Sequence, residues 1–200
     1  MLHSGAQAGA AESGTAVAGL RVAYQGEPGA YSEEAIDACF GGRATRIPCA
    51  TFEDVGRALE EGEADLAMMP VDNSSIGPIH DALAVIDRYS LVTTAEYTLP
   101  VRLCLLAIRG ARLEDVEVVR SHPAALAQCT RFLRAHTRLR AEPVLDTAGA
   151  AREVAGARDV RAGAIASRQA AGHYGLAILA ADVHDAEDNR TRFRIVRRGP

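Results

Sequence analysis

Residues 90–109 read SLVTTAEYTLPVRLCLLAIR, two apolar stretches, LVTTAEYTL and VRLCLLAI, that meet at Pro100 with no helix between them. Two strand-like runs joined in this way suit a chain that leaves one lobe and enters another. A matching return lies at 182–190, DVHDAEDNR, a polar stretch just before a last apolar run. The expectation is an α/β chain of two lobes joined by a double crossover, the second inserted in the first. Lobe 1 would span about 20–98 and 189–200, and lobe 2 about 99–188, after an N-terminal tail at 1–19. Small ligands in such folds sit in the cleft between lobes, near strand ends and helix N-termini.

Outward from that segment, short apolar runs alternate with helix-period segments through loops of a few residues. Strands are predicted at 21–24, 44–48, 66–70, 91–98, 102–108, 117–120, 141–145, 162–166, 177–180 and 192–196. Helices are predicted at 32–40, 52–61, 76–88, 123–135, 148–157 and 167–174, with apolar positions such as Val55, Ala58 and Leu59 at helical spacing. Ten strands are too many for one small doubly wound sheet, which again argues for two.

The composition, 48% hydrophobic and 24% charged over 200 residues, supports a packed core. All 22 basic residues are Arg, and no Lys occurs. That excludes a lysine Schiff base and the lysine of a Walker loop or protein kinase. Positive charge in a cleft must then come from Arg, His or helix N-termini. A net charge of −4 with interspersed signs offers no field for nucleic acid or anionic lipid, so neither is an expected partner. The longest apolar runs, such as 101–108, fall far short of the roughly 20 residues that span a bilayer. Residues 1–20 have no basic n-region or continuous apolar core, and are read as a disordered tail of a cytoplasmic protein. Cys39, Cys49, Cys104 and Cys129 form no C-x-x-C pair and have no His at metal-ligand spacing, so reduced, packed thiols are expected.

Four loops enter predicted helices through small or hydroxylated residues: GEPGAYS at 26–32, DNSSIG at 72–77, SHP at 121–123 and DTAGA at 146–150. Helix N-termini expose unpaired N–H groups that suit carboxylates, although ordinary capping explains such residues equally well. The 72–77 loop exceeds what one cap requires. G-x-x-G at 26–29 is not a dinucleotide fingerprint, since it lacks the third glycine and has Thr45 where an acid belongs. At the C-terminus, alternation puts Thr191, Phe193 and Ile195 on one face and Arg192, Arg194 and Val196 on the other. Thr191 thus begins the buried face and borders the cleft. Of the histidines, His122 stands out because its loop opens a helix.

Together, Gly26–Ser32, Pro70–Gly77, Ser121–Pro123 with Gln128 and Cys129, Asp146–Ala151, Tyr174–Leu176 and Asn189–Phe193 resemble the ordered motifs of prephenate dehydratase. The resemblance runs from about residue 20 to 198. It implies a fold similar to type 2 periplasmic binding proteins, and conversion of prephenate to phenylpyruvate, with loss of water and carbon dioxide, in phenylalanine biosynthesis. The family's catalytic threonine maps onto Thr191. The same resemblance implies a substrate site drawn from Asn73, Ser74, Ser75, Gly77, Ser121, His122, Ala148, Gly149, Ala150, Arg192 and Phe193. Arg192 would be a carboxylate clamp or an ion-pair partner that orients the Thr191 loop, and alternation favours the second. No metal or organic cofactor is expected, and the family is usually a homodimer or larger. Two departures stand out: Asp72 replaces the family's usual Glu, and the 200 residues lack the phenylalanine-sensing ACT domain, so no feedback through such a domain is expected of them. Arogenate dehydratase and a non-catalytic carboxylate-binding module of the same fold are the competing readings.

Overall fold

The computed structural model describes residues 19–200. The tail expected at 1–19 lies, but for Gly19, outside the described residues. Two sheets are present. The first takes β1 (Arg21–Gln25), β2 (Thr45–Cys49), β3 (Leu66–Asn73), the two-residue β4 (Gly77–Pro78), β5 (Val92–Pro100) and the last strand, β11 (Arg190–Arg197), in the order β2-β1-β3-β11-β5 with β4 on β3. The second takes β6 (Cys104–Ala107), β7 (Val118–Ser121), β8 (Arg140–Pro143), β9 (Ala162–Ala166) and β10 (Ala177–Ala180), in the order β10-β6-β9-β7-β8. The chain passes between them through 101–103 and returns through 181–189. This is the expected two-lobed α/β architecture with a double crossover.

β1, β2 and β3 pair in parallel, and β11 returns antiparallel between β3 and β5. A parallel strand covered on both faces reads as a continuous apolar run. LAMMPV in β3 is such a run. Met69 and Val71 pack with α2 (Phe52–Glu60) and α3 (His80–Arg88), while Met68 packs with α1 (Tyr31–Phe40) on the other face. The sequence reading ended this strand at Pro70, a residue that gives no ladder N–H. The strand instead continues to Asn73, because the β11 register shifts there, opposing Arg192 to Asp72 and Phe193 to Pro70. A bulge of this kind absorbs the missing donor.

Two helix predictions need correction. The helix expected from residue 76 begins at His80, because Gly77, at φ +79°, turns the chain back so that Gly77 and Pro78 pair with Asn73 and Asp72. The helix expected at 123–135 is two helices, α4 (Pro123–Ala127) and α5 (Thr130–Ala135). Asp185, from the return crossover, causes the break. Its carboxylate accepts from Thr130 N and Oγ1 and from Arg131 N at 2.6–3.0 Å, and its own N–H donates to Gln128 O at 2.6 Å. Burial pushes this carboxyl's pKa up, but the hydrogen bonds from Thr130 and Arg131 outweigh it and hold the carboxyl below its usual range.

The lobes also touch away from the crossover. The 26–29 loop of lobe 1 rests on α6 (Thr147–Ala157) and α7 (Arg168–Tyr174) of lobe 2. Tyr174 Oη donates to Pro28 O and Ser167 Oγ to Gly29 O, each at 2.8 Å, and Arg152 pairs with Glu27 at 2.8 Å. Gly29 sits at φ +89°, and a Cβ there would lie 2.8 Å from Ala170 Cα. Gly29→Ala therefore meets both left-handed strain and a backbone collision, and is expected to cost about 2–4 kcal/mol of stability. A urea midpoint equal to that of the wild type would show that this contact does not constrain the fold.

Candidate active site

A cleft of about 740 Å³ lies between the lobes. Its lobe 1 wall includes Tyr31, Phe52, Asn73, Ile76, Thr191 and Phe193, and its lobe 2 wall includes His122, Ala125, Gln128, Asp146 and Thr147. The register that sets Thr191 opposite Asn73 brings their side chains together at the end of the sheet. Asn73, Thr191 and Asn189 are all buried. Burying polar groups is tolerable only when they are hydrogen-bonded, and here they bond to one another. Ser75 N donates to Asn73 Oδ1 at 2.9 Å, which turns Asn73 Nδ2 toward Thr191 Oγ1 at 2.9 Å, Arg190 O at 3.1 Å and Asn189 Oδ1 at 3.2 Å. Thr191 Oγ1 thus accepts a hydrogen bond from the amide. Its own proton is left to donate elsewhere.

The other expected residues divide clearly. Ser74 and Ser75 build the turn around Asn73: Ser74 Oγ donates to Asp188 O and accepts from Arg190 N, and Ser75 Oγ donates to Asn189 Oδ1. Gly77 supplies the positive φ of that turn. His122 lines the cleft, and its Nδ1 accepts from Ala124 N at 3.2 Å, so a neutral ring carries its proton on Nε2. Phe193 is buried in lobe 1 and lines the cleft.

Ser74, Ser75, Gly77, Ser121, Ala148, Gly149, Ala150 and Arg192 do not line the cleft. Ser121 is fully buried, with its hydroxyl donated to Ile165 O at 2.6 Å. Ala148 and Ala150 are buried in the α6 core, and Asp146 caps Gly149 N at 2.6 Å. Asp146 and Thr147, one step earlier in the same loop, face the cleft in their place. Arg192 pairs with Glu96 on β5 at 3.5 Å. Asp72 likewise stays out of the cleft wall, one residue from Asn73 along a strand whose side chains alternate.

Arg88 is the one Arg in the cleft wall among the described residues, and it is held by Glu53 at 2.6 Å. Asp81 and Asp146 add negative charge. Unpaired backbone donors are offered at the start of α1, although Glu33 and Glu34 in its first turn offset the positive end of the helix. Its N-cap is Ala30, whose side chain can make no capping bond, and Ala30, Tyr31 and Ser32 border the cleft.

The sequence profile described as "Prephenate dehydratase" matches residues 22–200. The chain belongs to the prephenate dehydratase family. It is 44% identical over 181 residues to arogenate dehydratase 2 of Petunia hybrida, covering 90% of this chain and 45% of that protein. The chain thus spans about half the length of the curated relatives it matches. A crystal structure of prephenate dehydratase in complex with L-Phe from Arthrobacter aurescens superposes with a TM-score of 0.84 at 30% identity, over 90% of this chain and 61% of that one. A solved protein described as a novel type of quorum quenching acylase superposes at 0.82 and 38% identity, over 90% and 64%.

Of the motif blocks that resemble prephenate dehydratase, all but Tyr174–Leu176 contribute residues to this cleft, Gln128 included, while Tyr174 bonds the 26–29 loop. Gln128 is the functional candidate that the sequence reading left out. It belongs to the quoted motif, but as a polar residue ending a helix it carries no signal of direction. The four thiols are free, Cys104 and Cys129 fully buried, and burial pushes the Cys129 thiol up to about 12. A raised pKa keeps it protonated and unreactive at neutral pH. Thiol-reagent titration at pH 8 is expected to leave Cys104 and Cys129 unlabelled until denaturant is added; labelling of both in the native protein contradicts this.

Proposed function

We propose that this chain is the catalytic unit of a dehydratase that converts prephenate to phenylpyruvate in phenylalanine biosynthesis. The carrying observation is the state of Thr191: its oxygen is taken by Asn73, and its proton is free at a cleft walled by Phe52, Ile76 and Phe193. Prephenate bears two carboxylates and a ring hydroxyl. The ring carboxylate leaves as carbon dioxide, its C–C bonding pair moves into the ring, and the C–O bond at the opposite carbon breaks. The departing hydroxide takes up one proton and becomes water. Aromatisation drives these bond changes, so the protein need supply only orientation and a donor where negative charge develops. A donor placed there is strongest in the transition state and typically worth about 10²–10³ in rate.

The backbone N–H groups at the uncapped start of α1 suit one carboxylate, with Glu33 and Glu34 of the same turn offsetting the dipole. His122 Nε2–H offers a second donor from the facing lobe. Apolar walls suit the ring and exclude water as the lobes meet. Arg192, turned to Glu96, serves the β11–β5 edge in this reading rather than the substrate. The protein is read as cytoplasmic and as a homodimer or larger assembly.

Arogenate, which carries an amino group where prephenate has the keto oxygen, is the second reading. The petunia relative's name supports it. Comparing kcat/KM for the two substrates decides between them.

Thr191→Ala is expected to lower kcat about 10²–10³-fold while phenylpyruvate binding, followed by calorimetry, survives. Near-normal turnover in that variant would sink the assignment. Asn73→Asp keeps the acceptor for Ser75 N but replaces the donor to Thr191 with a second acceptor, so Thr191 turns its proton toward residue 73. Turnover is then expected to fall by on the order of 10²-fold, with the circular dichroism spectrum retained. Wild-type rates in Asn73→Asp would mean that the hydroxyl's orientation does not matter.

A further inference from the structure

We infer that the two segments joining the lobes form a second ligand site, lined by Arg102, Arg131, Asp182, His184, Asp185 and Glu187, that takes a small α-amino acid as its zwitterion. The site shares no lining residue with the interlobe cleft, and the inference does not depend on the dehydratase reading.

These six residues line a cavity of about 420 Å³. Arg102 belongs to the segment that leaves lobe 1, residues 182–187 to the segment that returns to it, and Arg131 to α5. The two segments are fixed to each other and to lobe 1. Val183 N donates to Leu103 O and Val101 N to Asn189 O, each at 2.8 Å, and Tyr31 Oη donates to Arg102 O at 2.9 Å.

Leu103 is buried, and among the described residues its N–H finds its acceptor in His184 Nδ1, at 3.5 Å. The opposite tautomer would accept from Arg102 at Nε2 and leave that buried N–H without an acceptor, which costs more than leaving the exposed guanidinium to water. A neutral ring therefore carries its proton on Nε2. Arg102 Nη1 lies 3.4 Å from Nε2, and a guanidinium can only donate. Two donors thus face each other at the cavity, and neither satisfies the other. A carboxylate, with two acceptor oxygens, satisfies both through charge-assisted hydrogen bonds.

The acids of the cavity say what else the ligand carries. Asp182 pairs with Arg168 at 3.3 Å, and Asp185 is taken by Thr130 and Arg131. Arg102 and Glu187 are the charged lining residues that have no ionic partner among the described residues. One uncommitted cation and one uncommitted anion in the same cavity suit a ligand that bears both signs, and Glu187 disfavours a bare anion such as phosphate. Every lining side chain is charged or polar, so the cavity offers no apolar wall to a large side chain. The ligand is held by its carboxylate and ammonium groups.

Calorimetry on the intact chain with L-alanine, L-alaninamide, propionate and inorganic phosphate tests this. L-Alanine is expected to bind saturably in the millimolar range. L-Alaninamide, which lacks the carboxylate, and propionate, which lacks the ammonium, are each expected to bind about tenfold more weakly or worse, and phosphate likewise. Arg102→Gln and Glu187→Gln, both at exposed positions, each weaken L-alanine about tenfold, whereas Glu187→Gln leaves propionate binding no weaker. Thermal unfolding checks that each variant folds. Absence of saturable L-alanine binding overturns the site. Propionate or phosphate binding as tightly as L-alanine overturns the zwitterion, and wild-type L-alanine affinity in either variant places the amino acid elsewhere and overturns the assignment.

Discussion

The insertion of β11 between β3 and β5 is the constraint on which the site depends. The last strand enters lobe 1 antiparallel to both neighbours, from a crossover that began in lobe 2. Without it, β5 would have no partner in the sheet, and the lobes would be joined by one connection. Its first half also lines the cleft, through Thr191 and Phe193. Because Arg190 and Thr191 pair with Pro100 and Leu99 on one side while Thr191 opposes Asn73 on the other, the hydroxyl is placed by backbone hydrogen bonding on two flanks. Side-chain rotamers alone do not have to find it. Both crossover segments end against the same cleft, so the covalent route that makes two lobes also makes the space between them.

The absence of Lys reads differently once the cleft is described. Composition alone left Arg, His and helix N-termini as sources of positive potential. The structure commits the cleft-lining Arg88 to Glu53 and leaves the N-terminus of α1 uncapped beside the cleft. Backbone N–H groups cannot release a proton at any ordinary pH and do not titrate. Backbone donors of this kind can orient a carboxylate without offering it a competing acid. On the proposed reading, donation at the leaving group then falls to the Thr191 hydroxyl.

Much of this was legible in the sequence because it depends on local pattern. Period-two and period-3.6 runs gave the strands and most helices, and the helix-free junction at Pro100 gave the crossover. What escaped depends on partners distant in sequence. The break between α4 and α5 is enforced by Asp185, more than 50 residues away in the chain. β3 runs past Pro70 because β11 shifts register to accommodate it. Residue types at loop mouths identified loops that border the cleft but not which way each side chain turns. Ser121, Ala148, Gly149 and Ala150 therefore mark the cleft ends of β7 and α6 without lining the cleft, whereas His122, also expected, and Asp146 and Thr147, which were not, line it. Gln128 was invisible for the same reason, since an amide at a helix end has no periodicity to betray its direction.

The direction of one hydrogen bond also bears on what chemistry the cleft is built for. A hydroxyl that acts as a nucleophile needs a base that accepts its proton and leaves the oxygen rich in electrons. Thr191 has the opposite neighbour. Asn73 Nδ2 donates to its oxygen, which withdraws electron density from it and makes the O–H a better donor, the cooperative effect expected in a chain of hydrogen bonds. Asn73 cannot reverse, because Ser75 N–H holds its oxygen. Related folds can carry different reactions, and the lobes alone do not choose among them. On the proposed reading the choice rests on a backbone amide two residues beyond Asn73, which sets the polarity of the hydrogen bonds that end at Thr191 and favours donation to a leaving group over attack by the hydroxyl.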